Sequence, residues 1–444
     1  MFKDKAFLKR LSMLAIPIMF NEMLNSSVNL LDTFMIGKLG EAAVAAVGLA
    51  NQIFFLYIVI NFGINSGSAI FMGQFNGAKD YKGIHKCLGT TFILTLITAI
   101  IFESAAIFVP ETIMSLYSKD PKVIALGSDY LRIVAYSYLL SGMSMMINAG
   151  LKCTGNVVRP TITTFISLFC NFIFNLIFIF GFKMGVRGAA LATLTARFIE
   201  LSVIVLWICI KKSVILTSPA GYFKSIDKAF LAAFVPVVTP VILNELMWAF
   251  GMTIYNVAYK YSGTEAQAAV QIAGTVQNEF MVAGIAVGSA SGIMIANALG
   301  SGDKERAIDY SRKSMAMSTL FSGVAAVLLV LLAKAIAGFF DVSDTARNYA
   351  LIMMYIVAVG MFIKTLNYVT VVGILRNGGD TRFCLIADAA TVWFVGVPVA
   401  FLGSAILHLP IYITFTMVYL EEITKLFLTV PRVLKNKWVN DLIK

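Results

Sequence analysis

Between Phe20 and Gly40 the chain reads FNEMLNSSVNLLDTFMIGKLG, setting Asn21, Glu22, Asn25, Asn29 and Asp32 among apolar neighbours. At about 100° per residue these five side chains share an arc of about 100° on one helical face. Carboxylates and amides are costly against lipid, so such a face turns to a bundle interior or a water-filled cavity, where it pairs or binds ions. Pro17 cannot donate to the carbonyl one turn back, which allows a bend beside the stripe.

A helix of this kind has to sit in a bilayer. Of the 444 residues 59% are hydrophobic and only 13% charged, which excludes an ordinary soluble enzyme. Apolar runs recur along the whole length and predict about twelve spans, roughly at 11–36, 42–74, 88–109, 123–149, 161–181, 188–210, 229–258, 266–298, 314–338, 347–373, 383–405 and 411–431. The basic start MFKDKAFLKR leads into a stretch that runs past Asp32 without a small-residue cleavage site, so it reads as a retained first helix. Five scattered cysteines form no CxxC pair, so neither a disulfide framework nor a zinc site is expected. The net charge of +11 lies mostly at the joints between spans, which points to topology and anionic lipid; no nucleic-acid partner is expected. The even joints and both termini carry roughly 23 of the 35 Lys+Arg, which places the termini in the cytoplasm of a multi-pass cell-membrane protein.

The longest joint, about 211–228, falls near the middle, and the halves around it repeat. Pro17, Asn21, Glu22 and Gly40 recur as Pro240, Asn244, Glu245 and Gly263, each 223 positions on. The same shift pairs Ala45, Ala46 and Val47 with Ala268, Ala269 and Val270, Gly77 and Asp80 with Gly300 and Asp303, and Gly150, Gly155 and Arg159 with Gly373, Gly378 and Arg382. The expected architecture is therefore an all-α membrane protein of two six-helix bundles, 1–215 and 216–444. Six crossings per half give both halves one orientation, related by a pseudo-two-fold axis along the membrane normal, a plan suited to alternating access. The chain has no Walker A segment, which leaves an ion gradient as the energy source.

Paired six-helix halves, Pro17 followed by Asp32 in DTFMIGKLG, and the joints GILRNGGDTR and GLKCTGNVVRP resemble the multidrug and toxic compound extrusion (MATE) family over nearly the whole chain. The resemblance implies an antiporter that exchanges external Na+ or H+ for a small organic cation or amphiphile; the chain is expected to act as a monomer and to need no cofactor. It also implies two lobes around a central cleft. The family's first-helix carboxylate matches Asp32, its fifth-helix polar pair Asn171 and Asn175 in CNFIFNLIF, and its sixth-helix threonine Thr193 in GAALATL. Some members carry an aspartate where this chain has Asn175. One carboxylate, two amide carbonyls and a hydroxyl are apt ligands for Na+, a hard monovalent ion. Burial also favours a carboxylate's neutral form, so Asp32 can equally carry a proton.

In the second half the resemblance is weaker: the tenth-helix acid of some members would fall near Thr365, the seventh-helix acid near Trp248, and the position of Asp32 is taken by Tyr255. Asn244 and Glu245, like Asn21 and Glu22, read either as transport groups or as polar contacts that knit helices. Gln267, Gln271 and Asn278 share a face of the eighth span and suit either a cleft lining or interhelical hydrogen bonds. Methionines and aromatics such as Met23, Phe54, Trp248, Met281 and Trp393 suit an adaptable drug surface or plain packing. Glu279 and Asp388 are intramembrane acids for which Lys364 and Arg197 are candidate partners by depth, although Arg197 and Glu200, three apart, suggest a local ion pair. The rival function is a lipid-linked precursor flippase, which would gather the in-span cations Arg132, Arg197, Lys364 and Lys425 on a phosphate. An intramembrane enzyme finds no metal or nucleophile–base motif.

Overall fold

The computed structural model describes residues 4–224 and 226–443, apart from the side chains of 27–31, 33 and 34. The described residues form helices and contain no strand. The first six spans are α1 (Lys5–Gly37), α2 (Glu41–Gly77), α3 (Tyr81–Phe108), the pair α5 (Pro121–Val134) and α6 (Ser137–Cys153), α7 (Val158–Asn175) and α8 (Gly185–Ile210); α4 (Pro110–Tyr117) is a short connector. After α9 (Pro219–Phe223) follow α10 (Lys228–Tyr259), α11 (Thr264–Gly300), α12 (Lys304–Gly338), α13 (Asp344–Tyr368), α14 (Thr381–Thr391) with α15 (Val397–Phe401), and α16 (Ile411–Leu434). Wide π-helical turns extend several of these, at Leu176–Gly181, Val369–Arg376, Val392–Gly396 and Leu402–Ile406. Among the described residues nine segments are long and apolar enough to cross a membrane, and the bent pair makes a tenth. The 33-residue α1 and the 24-residue α16 are also long enough to cross a bilayer. Large apolar side chains such as Phe108, Phe394 and Phe427 point outward, as a lipid-facing surface requires.

The fourth span departs from expectation. A continuous helix over 123–149 is replaced by α5 and α6, which meet at 49°. The break frees backbone N–H groups at the start of α6, and Glu103 of α3 accepts the one from Leu139 at 2.9 Å. A carboxylate at a helix N-terminus is favoured electrostatically as well as by the hydrogen bond.

The repeat is visible in local geometry. α2 and α11 are both 37 residues long and start and stop 223 positions apart. Gly40 and Gly263 precede them with φ of 99° and 94°, a backbone region that glycine enters without Cβ strain. Asp80 and Asp303 cap α3 and α12 by accepting the N–H of Gly83 and of Arg306.

Two compact units result, Phe20–Val238 and Met1–Met19 with Thr239–Lys444. They differ from the halves 1–215 and 216–444 in the ownership of two helix starts. The opening of α1 packs with the later unit and the opening of α10 with the earlier one, each change of unit lying within two residues of Pro17 or Pro240. Both openings begin with the same five residues, DKAFL, at 4–8 and 227–231. Asp4 accepts the Phe7 N–H at 3.0 Å, and Asp227 the Phe230 N–H at 2.6 Å. Lys313 of α12 lies 2.6 Å from Asp4 and over the Phe7 ring, whereas Lys86 of α3 lies 3.0 Å from Asp227 and over the Phe230 ring. The Lys313 ammonium, then the Phe7 N–H, holds the Asp4 carboxyl below its usual range; for Asp227 the Phe230 N–H leads and Lys86 follows.

The core of Phe20–Val238 is built on Tyr57, Tyr130 and Tyr138 among small residues such as Ala46 and Ala190. That of the other unit gathers Met353, Met354 and Val357 with Tyr255 and Tyr259.

Candidate functional site

In the unit Phe20–Val238 the polar stripe of α1 faces α7. The Asn21 amide donates to Thr164 Oγ1 at 2.9 Å, and eleven residues later Asp32 Oδ1 accepts from Asn175 Nδ2 at 2.7 Å. Both pairs are 143 positions apart, so the two helices advance in register, and eleven residues are close to three full turns. That is why one face of α1 meets one face of α7. Asn25 donates to Asn21 at 3.3 Å, whereas the side chain of Asn29 lies outside the described residues.

Asn171, one turn before Asn175, can satisfy itself in two ways. In one amide orientation its Oδ1 accepts from Asn175 at 3.2 Å. In the other its nitrogen donates to Asp32 Oδ1 at 2.8 Å and to Oδ2 at 3.2 Å. The first orientation sets an amide oxygen against a carboxylate oxygen, a contact that only a proton or a cation between them makes favourable. The buried Asn175 Oδ1 has no hydrogen-bond partner among the described residues, a second oxygen available to a positive ion. Thr193 on α8 gives its hydroxyl to Ala189 O at 3.1 Å and keeps its oxygen lone pairs.

Two neighbours escaped the sequence reading. Tyr130 of α5 lies beside Thr193 and within electrostatic reach of Asp32. A single tyrosine in an apolar helix gives no signal of this. Arg197 of α8 also reaches Asp32 electrostatically, while its guanidinium binds Glu200 at 2.7 Å in the expected local pair. Gly188 lets α8 close on the π-helical turn after Asn175, since a Cβ there would lie 2.9 Å from the Phe178 backbone.

The second unit holds a different constellation. Asn244 donates to Asp388 Oδ2 at 3.0 Å, a link from α10 to α14 that parallels Asn21 and Thr164. Glu245 binds the buried Arg376 at 2.7 Å. Lys425 of α16 is 2.6 Å from Asp388, 2.9 Å from Glu421 and 3.8 Å from Glu422. Tyr255, at the repeat position of Asp32, donates to Glu421 Oε2 at 2.7 Å. Asn367 donates to Glu422 Oε2 at 2.8 Å. Lys425 is therefore the partner of Asp388; Lys364 lies over the Tyr419 ring and Arg197 serves Glu200 in the other unit. The three charges of EEITK in α16 were the available signal.

The remaining expectations divide by surface. Among the described residues Glu22 forms no ion pair, unlike its repeat counterpart Glu245. Gln267 is half-buried and Gln271 exposed, the latter donating to Asn256 at 3.4 Å. Asn278 is exposed, and its neighbour Gln277 is the buried amide, accepting from Tyr419 at 3.2 Å. Trp248 and Met23 are exposed. Thr365 is buried and carries no charge. α1 passes through Pro17 as one helix.

Comparison with known proteins agrees with this architecture. A sequence profile described as MatE matches residues 17–177 and 240–402, one match per repeat. "Probable multidrug resistance protein YoeA" of Bacillus subtilis is 23% identical over 402 residues, 89% of this chain and 87% of the relative. "Multidrug and toxin extrusion protein 1" of Homo sapiens is 25% identical over 408 residues, 88% of this chain and 68% of the relative. The solved "Outward-facing conformation of a multidrug resistance MATE family transporter of the MOP superfamily" superposes with TM-score 0.89 at 18% identity, over 98% of this chain and 96% of that one. At such identity the superposition speaks for the fold alone. With both repeats matched, the chain belongs to the MatE family of membrane transporters.

Proposed function

We propose that the protein is a secondary active exporter of small organic cations or amphiphiles, driven by exchange for Na+ or H+ at Asp32. The observation that carries the reading is the meeting of Asp32 with the side-chain amides of Asn171 and Asn175. With Asp32 ionised and alone, Asn171 turns its nitrogen to the carboxylate. A proton on Asp32, or Na+ among the oxygens of Asp32, Asn171 and Asn175, favours the opposite amide orientation, so occupancy is transmitted to α7 through a hydrogen-bond reversal. Tyr130, beside Thr193, lies within electrostatic reach of this group. A bound ion shifts a conformational equilibrium only by its differential affinity for the two states. Pro17, next to the point where α1 passes between units, is the place for α1 to bend. Relatives named as multidrug resistance proteins support export of several dissimilar compounds across the cell membrane.

The test is transport in reconstituted vesicles with the pH gradient and the sodium gradient imposed separately and several cationic dyes as substrates. Asp32→Asn, incorporated at the same level, is expected to lose gradient-driven dye movement with either ion. Unchanged gradient-driven movement in that variant would sink the proposal. The flippase alternative loses ground because Arg132, Arg197 and Lys425 bind carboxylates and Lys364 lies over a tyrosine, so the in-span cations do not gather on one phosphate.

A further inference from the structure

One ammonium surrounded by three carboxylates is the reverse of an ordinary buried ion pair. Lys425 Nζ contacts Asp388, Glu421 and Glu422 at 2.6, 2.9 and 3.8 Å, and Lys425 is only 6% exposed. The adjoining pair of Glu245 and Arg376 is balanced, so the whole group carries two negative charges in excess. Each carboxylate around Lys425 also has a fixed neutral donor, Asn244 on Asp388, Tyr255 on Glu421 and Asn367 on Glu422, which holds its oxygens toward the ammonium. The buried amide oxygens of Asn244 and Asn367 accept no hydrogen bond among the described residues. Gly396 leaves room for the arrangement, because a Cβ there would run into Tyr255 Oη and lie 3.1 Å from Glu421 Oε2. Converging carboxylates with unclaimed amide oxygens beside them are the donor set of a monovalent-cation site, and a charged side chain occupies it.

We infer that this unit contains a monovalent-cation site filled from within by the Lys425 ammonium, a tethered cation that offsets one of the three carboxylate charges around it without any transported ion. The repeat position of Asp32 is Tyr255, which spends its hydroxyl on the same cluster. The two units thus meet one electrostatic demand differently, with an exchangeable ion at Asp32 in one and a covalently held ion in the other. Removing the tether leaves three negative charges in excess, more than a buried cluster tolerates without a replacement. The vacancy left by Lys425→Ala has the shape of n-propylammonium, the group that the substitution deletes.

This inference concerns stability of the later unit and stands apart from the transport reading, so the experiment is done with Asp32→Asn present throughout. Thermal unfolding of the purified full chain is followed in detergent against n-propylammonium, Na+ and tetramethylammonium at constant ionic strength. Lys425→Ala is expected to show a saturable rise in midpoint of at least about 3 °C with n-propylammonium. Tetramethylammonium, which has no N–H to donate, gives none, and the chain with Lys425 intact responds to none of the three. Adding Asp388→Asn to Lys425→Ala removes the carboxylate nearest to Nζ and is expected to weaken the response at least about tenfold in half-saturating concentration. Recovery of folded Lys425→Ala only when n-propylammonium or Na+ is present supports the inference too. A folded variant without a saturable response, equal responses from the chain with Lys425 intact, or failure to fold with every one of these cations overturns it.

Discussion

At the scale of single residues, Asp32 and Tyr255 occupy one repeat position with different chemistry, and under the proposed exchange mechanism that difference places the ion at Asp32. Asp32 is held by two neutral amides, Asn175 and Asn171. Tyr255 is a neutral donor to a carboxylate that Lys425 also contacts. A second carboxylate beside Asp32 should strengthen attraction for Na+, since affinity at oxygen sites rises with the charge of the ligand set. Asn175→Asp is therefore expected to lower the sodium concentration for half-maximal transport by about tenfold. Transport assayed against sodium concentration checks this, and an unchanged half-saturation would remove Asn175 from the ion's coordination. Asp32 was legible in the sequence because a carboxylate in an apolar span has few innocent explanations. Tyr130 was not, because a buried tyrosine in an apolar helix has many.

At the scale of elements, two glycines allow helices to come closer than side chains permit. Gly188 meets the backbone of Phe178 in the π-helical turn that follows Asn175, and Gly396 meets Tyr255 and Glu421. Phe178 is met at its backbone, and Tyr255 and Glu421 are held by their mutual hydrogen bond, so an added methyl must displace a helix or break a buried contact. Gly188→Ala and Gly396→Ala are each expected to cost about 1–3 kcal/mol, read as a fall in the thermal midpoint. Their functional consequences should separate. Gly188→Ala shifts α8 against the end of α7 and is expected to change the half-saturating ion concentration, whereas Gly396→Ala leaves it as it was. The break between α5 and α6 was invisible in the sequence, because periodicity reports that a segment is helical and not that Glu103 on a distant helix will accept a freed N–H. The Asn-Glu pairs of α1 and α10 were legible as helix-knitting groups, and Asn21 and Asn244 do knit their helices to α7 and α14.

At the scale of the whole molecule, the exchanged openings of α1 and α10 tie each repeat to the opposite unit through one device used twice. DKAFL supplies a capping aspartate and a phenylalanine, and a lysine from the third helix of the receiving unit binds both. Lys86→Ala and Lys313→Ala are each expected to lower the midpoint at about pH 7 by less than about 4 °C, since exposed pairs are screened by water. Asp4 and Asp227 are held below their usual values when folded, so their contribution is present above the unfolded value near 3.8 and is lost as pH falls through the lower folded values. The difference between each variant and the parent should accordingly be full near pH 6 and shrink toward about pH 3. A difference that grows on acidification would contradict the assignment.

The sequence by itself determined the class, the number of spans and the internal repeat, and it singled out the carboxylate that the proposed exchange mechanism uses. These follow from local quantities: apolar length, an offset between matching residues, and a charge that lipid does not tolerate. Only the tertiary structure decided which acid meets which base. Asp388 finds Lys425, Arg376 takes Glu245, and Glu103 serves α6, because partners across a bundle are chosen by helix rotation and crossing rather than by depth. The exchanged helix openings belong to the same class of fact. DKAFL stands in plain view twice, yet which unit each copy joins is fixed by long-range packing that no stretch of sequence records.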